Sequence, residues 1–169
     1  VLQYAFDNTP FVEKDSKHIL FAYSPVQEAL LYNPEFEGFE RYKFGNMVTH
    51  ELGHRVDDMF ALTKENMRFR KAIDIAADTL EKDRDRFVSY SWENDEDGFI
   101  SDIFSAVDRS DIFLAGHSSD YWRIPGNREA EIYANLFSLE AVGDSKKLNY
   151  LREYFPDIMR EYDKMEFEV

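Results

Sequence analysis

Hydrophobic residues change their spacing along this chain, and the change separates two kinds of structure. At first they come in short runs closed by turn-forming residues: Val1–Phe6 by Asp7-Asn8-Thr9-Pro10, His18–Tyr23 by Ser24-Pro25, and Ala29–Tyr32 by Asn33-Pro34. Three short β-strands are expected there, in an order that one sequence does not disclose. From about Arg41 the period lengthens. Met47, Val48, Leu52, Val56, Met59 and Phe60 fall at three- and four-residue steps and describe an amphipathic helix. A second helical stretch is predicted over Lys64–Val88, with a charged face and apolar positions at Met67, Ile73, Ile75, Ala76 and Leu80. The acidic segment Tyr90–Asp97 reads as a turn and Phe99–Val107 as a short helix. Asp108–Asn127, with Gly116, Pro125 and Gly126, reads as the longest loop. Arg128–Val142 returns to a helical pattern. Two more helices are expected at Lys146–Phe155 and Asp157–Phe167, with Pro156 suited to a helix start. The expected class is α+β, a small N-terminal β-sheet followed by a mostly helical part.

Composition narrows what such a chain can do. A length of 169 residues, 44% hydrophobic and 16% aromatic, supports a single packed domain over 1–169 that needs no staples. A chain that opens on Val1 rather than Met is expected to be a piece of something longer. Twenty Lys and Arg against 34 Asp and Glu leave a formal charge of −14, so nucleic acid is not an expected partner. No run of about 18 apolar residues exists and no signal-peptide pattern opens the chain, so no membrane partner is expected. With no cysteine, disulfides, thiolate metal sites and cysteine nucleophiles are excluded. A metal site here must use His and carboxylate.

One motif fits that demand. His50-Glu51-Leu52-Gly53-His54 is H-E-x-x-H on the first predicted helix. Positions four apart lie one above the other on a helix face, so two imidazoles can meet one Zn²⁺ at about 2.0–2.1 Å. Glu51, on the adjacent side, can take a proton from a water at the metal and later deliver it to a leaving amine. Gly53 in mid-helix costs about 1 kcal/mol against Ala, which makes sense if another segment approaches the helix backbone closely. A catalytic zinc usually has three protein ligands and one open position. The third must be His18, His117 or a carboxylate. The longer metzincin pattern is excluded, because Asp57 and Phe60 stand where its Gly and third His belong. Glu131 is the best placed carboxylate, since it opens a helix after a long loop and has Asn135 four residues on as a partner. Glu129 is the fallback.

The stretch His50-Glu51-Leu52-Gly53-His54-Arg55-Val56-Asp57-Asp58 resembles the H-E-x-G-H-x-V-D-D segment of gluzincin zinc metallopeptidases of the anthrax lethal factor type. That family's Glu-Ala-Glu helix is similar to Glu129-Ala130-Glu131-Ile132-Tyr133-Ala134-Asn135. Gly116-His117-Ser118-Ser119-Asp120-Tyr121-Trp122, followed by Asn127–Ser138, resembles zincin-like domains of bacteriophage minor head (head-morphogenesis) proteins. Together these likenesses cover most of residues 17–142. The resemblance implies a zincin-like fold, with His50, His54 and Glu131 as zinc ligands and Glu51 as general base. It also implies a tyrosine aimed at the developing oxyanion. Ile124 stands at the family's spacing, so Tyr121 is the expected substitute. Asn135 departs from the family, which has a carboxylate there, and Asp57 matches a residue that orients a ligand His.

The leading expectation is a zinc-dependent endopeptidase acting on a peptide or protein substrate. The alternative is a catalytically weak or inactive zincin-fold module of a phage head protein or toxin, whose partners would be other domains or subunits of the assembly. In the first case Ala29–Tyr32 is the expected strand edge for substrate pairing, and the acidic surface would draw basic peptides in a salt-sensitive way. A virion-associated or cytoplasmic location fits either. His18 in a β-run reads as structural and His117 as a loop hydrogen-bonder. The acidic run at 93–97 lacks the glycine and spacing of a calcium loop.

Overall fold

Short apolar runs between turns do build a sheet at the start of the chain, and the computed structural model shows its order. The structure describes residues 1–16, 20–36 and 44–167, with backbone alone for 166 and 167. Strands β1 (Phe11–Glu13), β2 (Phe21–Ser24) and β3 (Ala29–Tyr32) lie in the order β1-β3-β2. β1 runs parallel to β3, and β2 pairs antiparallel to β3 with Tyr23 opposite Leu30. The class is α+β, as expected. His18 and the start of its run fall outside the described residues.

Three expectations are corrected here. Val1–Phe6 is not a strand: Leu2–Asp7 forms a helix, α1, in which only Ala5 is buried. A six-residue run of mixed apolar residues has no decisive period. The Asp-Asn-Thr-Pro cluster closes the helix instead of a strand, with Asn8 Nδ2 donating to Tyr4 O and Thr9 Oγ1 to Ala5 O. The missed strand β1 follows it. Lys64–Val88 is two helices, α3 (Met67–Lys82) and α4 (Arg84–Asn94), because the charged run between Leu80 and Phe87 has nothing to bury and the chain breaks at Asp83. Asn66 starts α3 by accepting from the Phe69 N–H. Most of the supposed turn Tyr90–Asp97 is therefore helix, and Tyr90 stacks on Tyr150 with ring centroids 3.7 Å apart.

The motif helix α2 (Phe44–Phe60) lies under the sheet, burying Val48, Leu52 and Val56. α5 (Phe99–Asp108) and α6 (Asn127–Ala141) are buried along almost their whole length, and α6 is packed between α2 and α5. α7 (Ser145–Tyr154) and α8 (Pro156–Phe167) close the far side, with Pro156 at the first helical position as predicted. Two of the four carboxylates in the acidic segment Tyr90–Asp97 have a use. Lys147 from α7 places its ammonium 2.8 Å from Asp95 and beside Asp97, so the charge that faces these carboxylates belongs to the protein itself. Among the described residues, no helix is long and apolar enough to cross a membrane.

Candidate metal centre

The two rows of α2 that do not face the core carry the polar chemistry. His50 and His54 are four residues apart and present their Nε2 atoms 3.2 Å from each other. Glu131, in the first turns of α6, brings Oε2 to 3.3 Å from each of them. The helix crossing makes this possible. A methyl added at Gly53 would stand 2.7 Å from Ala134 Cα, so only glycine lets α6 lie this close to α2. The close approach expected at Gly53 is there, and the partner is the helix that carries Glu131.

These three side chains can hold a metal ion. Three ligands at about 2.0–2.1 Å in tetrahedral directions stand about 3.3–3.4 Å apart. The observed triangle, with sides of 3.2, 3.3 and 3.3 Å, is close to that figure. Apart from its contacts with the two imidazoles, Glu131 Oε2 is buried without a hydrogen-bond partner among the described residues, which suits a donor atom reserved for a cation. Without a metal the triangle is held by charge. Burial opposes ionisation of His54, but Glu131 outweighs it and lifts the imidazole to about 9. Burial opposes ionisation of Glu131 as well, but His54 and His50 hold it well below the usual carboxylate range.

Tyr121 stands beside the triangle. It sits in a single 3₁₀ turn (Tyr121–Arg123), and its hydroxyl donates to Glu131 Oε1 at 2.6 Å. Burial and the Glu131 charge push the phenol far above its ordinary value, so it remains a donor. Glu51 lines the same cleft of about 570 Å³, which also includes His50, His54, His117, Tyr121 and Glu131. One of its oxygens accepts from the Tyr23 N–H at 2.6 Å.

The remaining candidates separate cleanly. Glu129 is not a ligand; Arg70 Nε donates to it at 2.9 Å, on the other side of α6. Asp57 does not orient a histidine. Both its oxygens go to Thr63, to the N–H at 2.8 Å and the hydroxyl at 2.7 Å, where they fasten the chain leaving α2. Asn135 does not reach a ligand His either, because its amide donates to Asp102 Oδ2 at 2.6 Å. His50 Nδ1 consequently has no hydrogen-bond partner among the described residues. The strand edge also differs from expectation. β3 is central and paired on both sides, so Ala29–Tyr32 cannot receive a peptide; among the described residues β2 is the edge strand beside the cleft.

Asp102 is the residue that sequence reasoning missed. Its Oδ1 lies 3.2 Å from His117 Nδ1, and His117 Nε2 lies 3.8 Å from Glu131 Oε1. Asp102, His117 and Glu131 are close enough together to suggest a second cation position. The imidazole, however, meets its two carboxylates with opposite ring nitrogens, at hydrogen-bond distance from Asp102 and at ion-pair distance from Glu131, which suits a bridging imidazolium better than one ion. Burial opposes its protonation, but Asp102 and Glu131 outweigh that and raise its pKa. The ring stacks on Tyr121 at 4.1 Å and so steadies that phenol. A signal was available in the sequence, since Asp102 is the one acidic residue inside the apolar stretch Phe99–Val107.

No protein-family model, no curated protein and no solved structure matches this chain.

Proposed function

We propose that this chain is a zinc-dependent endopeptidase domain of zincin-like type. The observation that carries the reading is the triangle His50, His54 and Glu131, whose sides have the spacing of a zinc ligand set. Zinc bound there would polarise a substrate carbonyl and lower the pKa of a water. The protein's own groups supply the rest. Glu51, adjacent in sequence to the first ligand and lining the same cleft, accepts a proton and returns it to the leaving amine. The Tyr121 hydroxyl, now on Glu131, is a donor within reach of an oxygen on which charge develops. A peptide would lie along the outer side of β2, where the backbone groups of Phe21 and the carbonyl of Tyr23 face away from β3 and the Tyr23 N–H is taken by Glu51.

A second reading has its own support. A metal-ligating imidazole usually donates its other N–H to a carboxylate or carbonyl. His50 Nδ1 finds no such partner among the described residues, and Asn135 is committed to Asp102. A metal held this way would serve as a staple between α2 and α6, as suits a non-catalytic module of a larger assembly such as a phage head.

Bound zinc per chain, measured for wild type, Glu51→Gln and Glu131→Ala beside hydrolysis of an unbiased peptide pool, decides between them. The peptidase reading expects Glu51→Gln to keep zinc and lose at least about 100-fold in turnover, and Glu131→Ala to lose zinc. Full zinc occupancy with no cleavage leaves the staple. A wild type that takes up no zinc removes both.

A further inference from the structure

We propose that Tyr23 positions Glu51, acting as a two-ended clamp between β2 and α2; this rests on the peptidase reading above. Glu51, Arg55 and Asp58 follow one another at four and three residues on α2, and so form a single row beside the His50–His54 row. Tyr23 meets all three members. Its N–H donates to Glu51 Oε2 at 2.6 Å, its hydroxyl donates to Asp58 Oδ2 at 2.8 Å, and Arg55 Nη1 donates to that hydroxyl at 3.1 Å. Arg55 also donates to Glu28 Oε2 at 2.9 Å, which ties in the turn that joins β2 to β3.

The backbone contact follows from the strand register. Asn33 N–H donates to Leu20 O, which sets the alternation of the antiparallel ladder. Ala22 and Ser24 then point their backbone groups at β3, while Phe21 and Tyr23 point theirs outward. One of those outward groups, the Tyr23 N–H, holds a side chain of the cleft. A glutamate has three rotatable bonds, and a proton acceptor works only within hydrogen-bond reach of its target. A short charge-assisted bond to one carboxylate oxygen fixes the group and leaves the other oxygen for a proton. The phenol keeps that N–H in place by anchoring the strand one and two turns further along the helix. Burial and Asp58 push the phenol up to about 12, so the anchor stays protonated at neutral pH.

If the contacts only pack a hairpin on a helix, cutting them lowers stability and leaves turnover per folded, zinc-loaded chain unchanged. The clamp makes a different claim. The test uses the zinc-loaded chain, Tyr23→Phe, Asp58→Asn, and a chain carrying the α-hydroxy acid analogue of tyrosine at position 23, which replaces the N–H by an ester oxygen and keeps the phenol. Zinc content, kcat and KM are measured on a peptide that wild type cleaves. The Tyr23 amide proton is followed by NMR in wild type and in Glu51→Ala. The clamp expects zinc content and KM unchanged, kcat down at least about ten-fold in the ester chain and several-fold in Tyr23→Phe, and an upfield move of the amide proton in Glu51→Ala. An ester chain with full kcat, or an amide proton that does not move, overturns the clamp alone. A zinc-loaded wild type that cleaves nothing overturns the peptidase reading, and with it the clamp's catalytic role.

Discussion

The backbone of Gly53 on α2 lies against Ala134 on α6 so closely that a methyl group at Gly53 would stand 2.7 Å from Ala134 Cα and 3.1 Å from Ala134 O. Gly53 immediately precedes His54, and Ala134 is one turn beyond Glu131. The helix contact and the ligand triangle are therefore one geometric fact. Gly53→Ala would gain about 1 kcal/mol of helix propensity if nothing stood in its way. Here it must push α6 away, at a cost of about 1–3 kcal/mol for overpacking, and the triangle opens. The expected result is lower stability in urea together with at least about ten-fold weaker zinc binding in a chelator competition. A more stable Gly53→Ala with unchanged zinc affinity would contradict this account.

The grouping of the candidate residues was more legible in the sequence than the sheet, for physical reasons. His50, His54 and Gly53 sit on a long helix, where spacing alone dictates which side chains share a face. Glu131 was legible for the same reason, since a lone helix start after a long loop admits few phases. Val1–Phe6 was not, because six mixed apolar residues fit a strand or a helix and tertiary packing decided the matter. Strand order was illegible as well. β3 became central only through the parallel pairing with β1, a strand of three residues with almost no pattern of its own. Asp102 and Asn135 pair across α5 and α6, and a contact across 33 residues leaves no trace in local spacing.

Zinc should displace a proton from His54. Burial works against its charge, but Glu131 raises its pKa to about 9, so in the metal-free chain at pH 7 the imidazole is protonated. A ligand imidazole must be neutral. Apparent zinc affinity is therefore expected to climb by up to about ten-fold per pH unit and to level off near pH 9. The metal-free pairing runs the other way: its stabilisation is complete below about pH 6.5 and is lost as pH rises through about 9. Binding heats measured at pH 7 in buffers of different ionisation enthalpy report the proton directly. Heats that do not depend on the buffer would rule out the displacement.

Asp102 is expected to matter for stability more than for metal binding. It accepts from Asn135, which is 1% exposed, and its link to the ligand triangle runs through His117, whose Nε2 lies 3.8 Å from Glu131 Oε1. Asp102→Ala strands that buried amide at a cost of about 1–3 kcal/mol. It also releases His117 from its 3.2 Å contact. Asp102→Asn, which keeps an acceptor oxygen, should cost less. Zinc content should stay near wild type in both. Loss of zinc in Asp102→Asn without loss of stability would place Asp102 in the metal site after all.

Lys147 should be the costliest single charge to remove. Its side chain is 6% exposed, it stands 2.8 Å from Asp95 and beside Asp97, and the Asp95 side chain is fully buried. Burial opposes the ammonium charge, but Asp95 and Asp97 outweigh it and raise its pKa. Burial also opposes the charge on Asp97, yet Lys147 keeps that carboxyl below its ordinary range. Lys147→Met fills the space but leaves two carboxylates without their cation, so a loss of about 3–5 kcal/mol is expected at pH 7. The sign of the pH effect follows from Asp97. A lowered carboxyl pKa contributes stability above its unfolded value and loses it as pH falls through the folded one. In the variant the carboxylates have no such partner and take up protons at higher pH. The gap between wild type and Lys147→Met should therefore be widest near neutrality and narrow steadily toward about pH 4. Urea melts at three pH values across that range measure it. A gap of constant size would mean that Lys147 acts by packing its stem rather than by its charge.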